Sequence, residues 1–173
     1  MSPSASANYG KIPSLLFLLL VACTPGPAQT VQDTAYQHTL QQLLDARVPT
    51  CSVADLKNAD APVILDSRER REYDVSHMEK ATWVGYNDFD MARVKDVPKN
   101  APIVVYCSVG YRSERITQRL RKAGYSNVRN LYGGIFEWVN TGQQVVNEHG
   151  ATNRIHGYDA LWSKWLTRGE VIH

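Results

Sequence analysis

Short apolar runs punctuate the middle of the chain, and helical patterns separate them. Pro62-Val63-Ile64-Leu65 and Pro102-Ile103-Val104-Val105-Tyr106 are continuous rather than alternating. Strands covered on both faces read this way. Residues 81–86 and 127–132 are two further strand candidates. Residues 36–46 carry Leu40, Leu43 and Leu44 at helical spacing and predict a helix on the outside of a domain. Ser52, with Asp55 three residues on, predicts a helix start. Residues 69–73 predict a polar helical turn, and residues 87–94 a short helix with Asn87 as its N-cap, closed by Pro98. Residues 114–123 place Ile116 and Leu120 on one face of a longer helix that Gly124 stops. Gly133-Gly134 then turns the chain into a helix over 135–140. Strands alternating with helices predict an α/β fold, a parallel sheet with helices on both faces.

Beyond Gly142 the alternation stops. Tyr158, Leu161, Trp162 and Trp165 fall at i, i+3, i+4 and i+7 and predict an amphipathic helix with aromatic weight. Such a helix packs on the domain or, with Lys164 and Arg168 beside the aromatics, faces a protein partner or a membrane interface.

The amino terminus follows another pattern. Lys11 precedes an apolar run over residues 12–22, and Cys23 ends it. The run is shorter than the roughly 20 residues of a spanning helix and fits the core of a signal peptide. Leu20-Val21-Ala22-Cys23 resembles the lipobox of bacterial lipoproteins. That resemblance implies cleavage before Cys23, lipidation of its sulfur, and a mature protein exported to the cell envelope and anchored on a membrane facing the periplasm. An ordinary secretory signal would export the protein without the anchor. Residues 24–30, rich in Pro, Gly and polar side chains, read as a tether. The expected organisation is a signal over 1–22, Cys23 with tether and helix over 23–49, one domain over 50–142, and an extension over 143–173. Hydrophobic content of 43% and charged content of 21% suit a soluble globular domain. A net charge of +2, without basic runs, argues against a nucleic-acid partner.

The candidate chemistry sits at strand ends, where open α/β sheets bind ligands. Cys107 follows the 102–106 run, and Ser108-Val109-Gly110-Tyr111-Arg112-Ser113 leads into a helix. Helix-initial N–H groups lack intrahelical partners and carry partial positive charge. With Arg112 they suit an anion and favour the thiolate, the nucleophilic form of cysteine. Asp66 and Arg68 stand at the end of the other apolar strand and read as a hydrogen-bonded pair supporting the site. Glu72 reads equally as a pocket residue or a solvated one, and His77 and Trp138 as core residues. The histidines show no metal-ligand spacing.

Cys107-Ser108-Val109-Gly110-Tyr111-Arg112-Ser113 resembles the C-x-x-G-x-R-S loop of single-domain rhodaneses, sulfurtransferases that carry sulfur as a cysteine persulfide. Asp66-Ser67-Arg68 resembles that family's D-x-R. Glu72-Tyr73 through Ser76-His77-Met78 to Ala81 resembles its E-Y-x-x-G-H-I-x-G-A, with Ser76 and Lys80 in place of glycines and Met78 in place of Ile. Gly133-Gly134 to Trp138 resembles its G-G-x-x-x-W. The resemblance implies Cys107 as nucleophile, residues 108–113 as anion binders, a small sulfur donor such as thiosulfate, a thiol acceptor, and no metal or organic cofactor. A rhodanese-like module that carries sulfur or docks an envelope partner without turnover is the rival expectation. The H-C-x5-R pattern of tyrosine phosphatases fits less well, since Tyr106 precedes the cysteine and only four residues separate it from Arg112. Cys51 reads as an inert buried thiol or as a disulfide partner of Cys107.

Overall fold

The computed structural model describes Met1 and residues 30–173. Residues 2–22 of the expected signal peptide, Cys23 and the tether up to residue 29 lie outside the described residues. A helix α1, Thr34–Leu43, opens the fold, capped by Asp33, whose carboxylate accepts the Tyr36 N–H. Strand β1, Thr50–Cys51, leads to α2, Val53–Lys57, started by a Ser52–Asp55 capping box. Strand β2, Val63–Asp66, is followed by α3, Arg70–Val75. Strand β3, Thr82–Trp83, is short, and a 3-10 turn follows at Met91–Val94. Strand β4, Ile103–Tyr106, precedes α4, Tyr111–Lys122. Strand β5, Val128–Leu131, precedes α5, Gly134–Asn140.

The five strands form one parallel sheet in the order β1-β5-β4-β2-β3. Strand β4 is its centre, paired to β2 with Leu65 opposite Val105 and to β5 with Val105 opposite Asn130. Because strand side chains alternate between faces, β4 feeds two cores. Val104 and Tyr106 join a cluster with Tyr36, Leu40, Ile135 and Phe136. Ile103 and Val105 join a second with Leu65, Ile116, Leu120 and Tyr125. Both faces are covered, which is why the run reads as continuously apolar. The carboxyl ends of β2 and β4 lie side by side, with Asp66 opposite Tyr106, so Cys107 emerges beside Ser67.

Strand β1 has no counterpart among the expected strands, α1 starts and ends earlier than 36–46, and three further departures have a local reason. Helix α4 begins at Tyr111 rather than 114, because Gly110 takes φ +115 and turns the chain straight into the helix. The turn at residues 91–94 is capped by Asp90 rather than Asn87, whose amide instead donates to Glu69 Oε1 at 3.0 Å. The third strand shrinks to two residues on a sheet edge, since the chain leaves the sheet at Gly85, φ +72.

The extension departs further. The helix expected over 158–165 is a single turn, α6, Ala160–Ser163. Asp159 caps it by accepting the Leu161 and Trp162 N–H groups, and Tyr158 stands outside it at φ +67. Around it lie an antiparallel pair, β6 (Val145–Asn147) with β7 (Gly150–Thr152), and a parallel pair, β8 (Arg154–His156) with β9 (Glu170–Ile172). His77 and Val146 exchange backbone hydrogen bonds of 2.8 and 2.9 Å, tying β6 to the end of α3. Trp165 stacks on Tyr36 with centroids 5.2 Å apart. Among the described residues no helix is long and apolar enough to cross a membrane.

Helix α1 belongs to the core. Tyr36 and Leu40 are wholly buried, and the Tyr36 hydroxyl donates to the Gly133 carbonyl at 2.8 Å. Leu40→Ala is therefore expected to lower stability by about 2–5 kcal/mol, read from urea unfolding; a change near zero would mean that the helix is only an appendage.

Candidate functional site

The Cys107 loop is shaped from outside by α5. The Ile135 N–H donates to the Cys107 carbonyl at 2.9 Å, and the Phe136 N–H to the Ser108 carbonyl at 3.1 Å. In a planar trans peptide the C=O and the following N–H point in opposite directions. Drawing these two carbonyls towards α5 turns the Ser108 and Val109 N–H groups the other way, into the loop. The approach demands Gly134: a Cβ there would stand 2.4 Å from the Cys107 carbonyl oxygen, and the residue sits at φ +57.

Inside the loop, the Gly110 N–H donates to Cys107 Sγ at 3.1 Å. The first N–H groups of α4 follow at once, with the positive end of its dipole. Gly110 is held from behind by Asn130, whose Nδ2 donates to its carbonyl at 3.0 Å. The Ser113 hydroxyl donates to Asn130 Oδ1 at 2.6 Å. Ser113 is thus buried away from the pocket and braces the loop against β5.

Arg112 and Glu72 form a bidentate pair, Nη1 to Oε2 at 2.6 Å and Nη2 to Oε1 at 2.7 Å. Ser108 joins it, donating from Oγ to Glu72 Oε1 at 3.0 Å. The Arg112 fork is therefore occupied by a carboxylate of the protein, while one edge lines the pocket. Burial alone would push the Glu72 carboxyl up. The hydrogen bonds and charge of Arg112, with Arg68 behind, outweigh it and hold the group below its ordinary value. Tyr158 closes the far side, its ring centroid 4.8 Å from Arg112 Cζ.

Asp66 and Arg68 lie underneath, both wholly buried. Arg68 Nη2 donates to Asp66 Oδ2 and to the Ser76 carbonyl, each at 2.6 Å. The pair ties the end of β2 to the end of α3, the helix that presents Glu72. His77 is stacked on Tyr73 and paired through Nδ1 with the Tyr73 carbonyl, remote from Cys107 chemistry.

Cys107 lies on the floor of an open cavity of about 560 Å³. Ser108, Val109, Tyr111 and Arg112 line it, whereas Gly110 and Ser113 do not. Leu43, Tyr86, Tyr158 and Trp162 add apolar wall, and Glu69 and Arg71 stand at the pocket with Asn87. Cys51 is buried elsewhere, its thiol pushed up to about 12 by burial. Both cysteines are free. Among the described residues no group of three or more His, Cys, Asp or Glu side chains gathers in a metal-binding arrangement.

Sequence reading did not single out Asn130, nor the pocket roles of Leu43, Tyr86, Tyr158 and Trp162, and left Glu72 undecided. Glu72 had a usable signal: it is the N3 residue of α3, its carboxylate accepting the Glu69 N–H at 3.0 Å. Asn130 had the signal of a polar side chain two residues from Val128, on the same face of the strand.

Comparison with known proteins agrees with this geometry. The family profile of the Rhodanese-like domain matches residues 52–141, just over half of the chain. A protein named Sulfurtransferase from Allochromatium vinosum is 38% identical over 58 residues, 34% of this chain and 54% of that one. A tRNA uridine(34) hydroxylase from Erwinia tasmaniensis is 31% identical over 115 residues, 64% of this chain and 31% of that one. The solution structure of a Rhodanese-like domain from Anabaena superposes with a TM-score of 0.53 at 26% identity, covering 57% of this chain and 79% of that one. The chain spans between about a fifth and about half of the length of the curated relatives named first by similarity. A parallel sheet in this order, a cysteine loop clamped between two helices and a match across the whole central domain place the chain in the rhodanese-like domain family.

Proposed function

We propose that this chain is a sulfurtransferase that moves a sulfane sulfur from a donor such as thiosulfate to a thiophilic acceptor through a Cys107 persulfide. The observation that carries the reading is the cradle around Cys107 Sγ: it receives the Gly110 N–H at 3.1 Å, on the floor of an open pocket, at the start of α4. In the first step the Cys107 thiolate attacks the sulfane sulfur of thiosulfate. The S–S bond of the donor breaks, sulfite leaves with the electron pair, and Cys107 becomes a persulfide anion. In the second step an acceptor thiolate or cyanide attacks the outer sulfur, and the Cys107 thiolate leaves. Charge is conserved throughout, and no redox partner is required. The N–H groups of the loop stabilise the negative charge on the transferred sulfur. Arg112 contributes its field while Glu72 holds its geometry.

The amino-terminal pattern supports a further part of the proposal, that the protein acts in the cell envelope as a lipoprotein anchored through Cys23, where several acyl chains together bind a membrane stably. Cys23→Ser should move the protein from the membrane fraction to the soluble fraction of the cells that make it. Unchanged partitioning would remove the anchor from the proposal.

Persulfide formation is tested by intact mass after mixing the reduced protein with thiosulfate. One added sulfur should appear, vanish with cyanide, and be absent from Cys107→Ser. Peptide mapping should place it on Cys107 and not on Cys51, whose buried thiol is pushed up to about 12. Failure of every sulfane donor to load a reduced Cys107 would overturn the reading. Loading without release to cyanide or small thiols would make the protein a carrier for a particular partner.

Glu72→Gln tests the clamp. It leaves the Arg112 charge without its carboxylate and should cost about 3–5 kcal/mol of stability. Loosening the loop should also cut kcat/KM for thiosulfate by about a hundredfold. The pH dependence has a definite sign. The folded carboxyl titrates below its unfolded value, so its stabilisation is complete above about pH 4.3 and is lost as pH falls through the folded value. The variant should unfold with a shallower acid limb than the parent, and an identical limb would show that Glu72 is not the titrating group.

A further inference from the structure

The pocket over Cys107 is larger and more apolar than a sulfur oxyanion requires. Its volume of about 560 Å³ falls in the range of roughly 300–1,000 Å³ that holds organic ligands. Thiosulfate and cyanide are much smaller. Part of the wall comes from outside the matched domain of residues 52–141. Leu43 reaches it from the last turn of α1, and Tyr158 and Trp162 from the extension.

The extension holds these rings in place. Tyr158 is a non-glycine residue at φ +67, a conformation that persists only when its surroundings enforce it. Its N–H donates to Nδ1 of the buried His156 at 3.0 Å, and its ring lies over Arg112. Trp162 follows in α6, whose turn Asp159 caps. Strand β8, which carries His156, is pinned by β9. Trp165 stacks on Tyr36 of α1, so the extension and the helix that supplies Leu43 are fixed to each other. The floor suits an anionic end through the Gly110 N–H and the start of α4, and the rings suit an apolar body. Among the charged groups at the pocket, Arg112 is matched by Glu72, Arg71 has no ion pair among the described residues, and the Glu69 carboxylate accepts from Asn87 Nδ2 at 3.0 Å.

We infer that the sulfane sulfur handled by Cys107 is carried on an organic anion with an apolar or aromatic group, and that Tyr158 and Trp162 set this preference. The inference rests on the sulfurtransferase reading and names its substrate class. For an organic thiosulfonate, R–SO2–S⁻, the Cys107 thiolate attacks the terminal sulfur. The S–S bond breaks, the sulfinate R–SO2⁻ leaves with the electron pair, and the Cys107 persulfide anion forms. For an organic persulfide the leaving group is the thiolate R–S⁻, and the reverse step returns sulfur to it. In each case R sits against the same aromatic wall.

The test compares three donors with the full-length chain: thiosulfate, the methanethiosulfonate anion and the benzenethiosulfonate anion. Persulfide formation is followed by intact mass, and KM by sulfite or sulfinate release. Stacking on one aromatic wall is worth about a two- to twelvefold change in binding, about 0.5–1.5 kcal/mol, so benzenethiosulfonate should show a KM lower than methanethiosulfonate by that factor. Trp162→Ala should bring the ratio of the two KM values towards one, and Tyr158→Phe, which keeps the ring, should preserve it. Equal KM values in the parent, with thiosulfate loading Cys107 normally, would overturn the inference and leave the sulfurtransferase reading standing. A preference that survives Trp162→Ala and Tyr158→Ala would overturn the assignment to the extension. If Trp162→Ala does not fold, the donor comparison on the parent decides. No loading by any of the three donors would overturn both.

Discussion

The whole site depends on two backbone hydrogen bonds that leave the Cys107 loop. Ile135 and Phe136, the second and third residues of α5, draw the Cys107 and Ser108 carbonyls outwards. Peptide planarity then obliges the intervening N–H groups to face inwards. The loop N–H groups are thus aimed by holding the loop carbonyls. The same bonds satisfy the N–H groups that α5 cannot pair within itself. Gly134 is the condition for this arrangement, because any side chain there would meet the loop carbonyls.

Around that core the protein spends its buried charges on position. Glu72 and Arg112 neutralise each other in a bidentate pair at the pocket wall, and Asp66 and Arg68 do so beneath it. Buried ion pairs add little net stability relative to apolar packing. Their effect here is geometric, joining α3 to the cysteine loop and β2 to α3. The arginine that the loop sequence suggests as an anion ligand has its fork turned to Glu72, while the guanidinium still lines the pocket. The contact made to Cys107 Sγ itself comes from the backbone, through the Gly110 N–H.

The segments flanking the central domain are part of the same object. Helix α1 buries Tyr36 and Leu40 and bonds to the turn before α5. The extension is pinned at His77, at Tyr36 and at Arg112. Together they raise an aromatic wall over a site whose floor lies in the matched domain, so that Cys107 and the wall facing it come from different parts of the chain.

The sequence by itself determined four of the five strands, because the runs ending at Leu65 and Tyr106 are short, apolar without alternation and followed by turn signals; β1, Thr50–Cys51, carries no such run. It determined the place of Cys107 and the loop glycines, because a strand end followed by a helix start is a local pattern. The Ser52–Asp55 helix start was equally local. Tertiary structure alone decided which charges meet. Glu72 and Arg112 are forty residues apart, and the local capping role of Glu72 does not say which charge its carboxylate meets. It also decided the extension: the periodicity of Tyr158, Leu161, Trp162 and Trp165 is helical, yet each aromatic is claimed by a different neighbour, Arg112, the pocket or Tyr36. One helix cannot serve those three directions, and the chain breaks into a single turn between two strands, because long-range packing of aromatic surface outweighs the few tenths of a kcal/mol per residue that helix propensity offers.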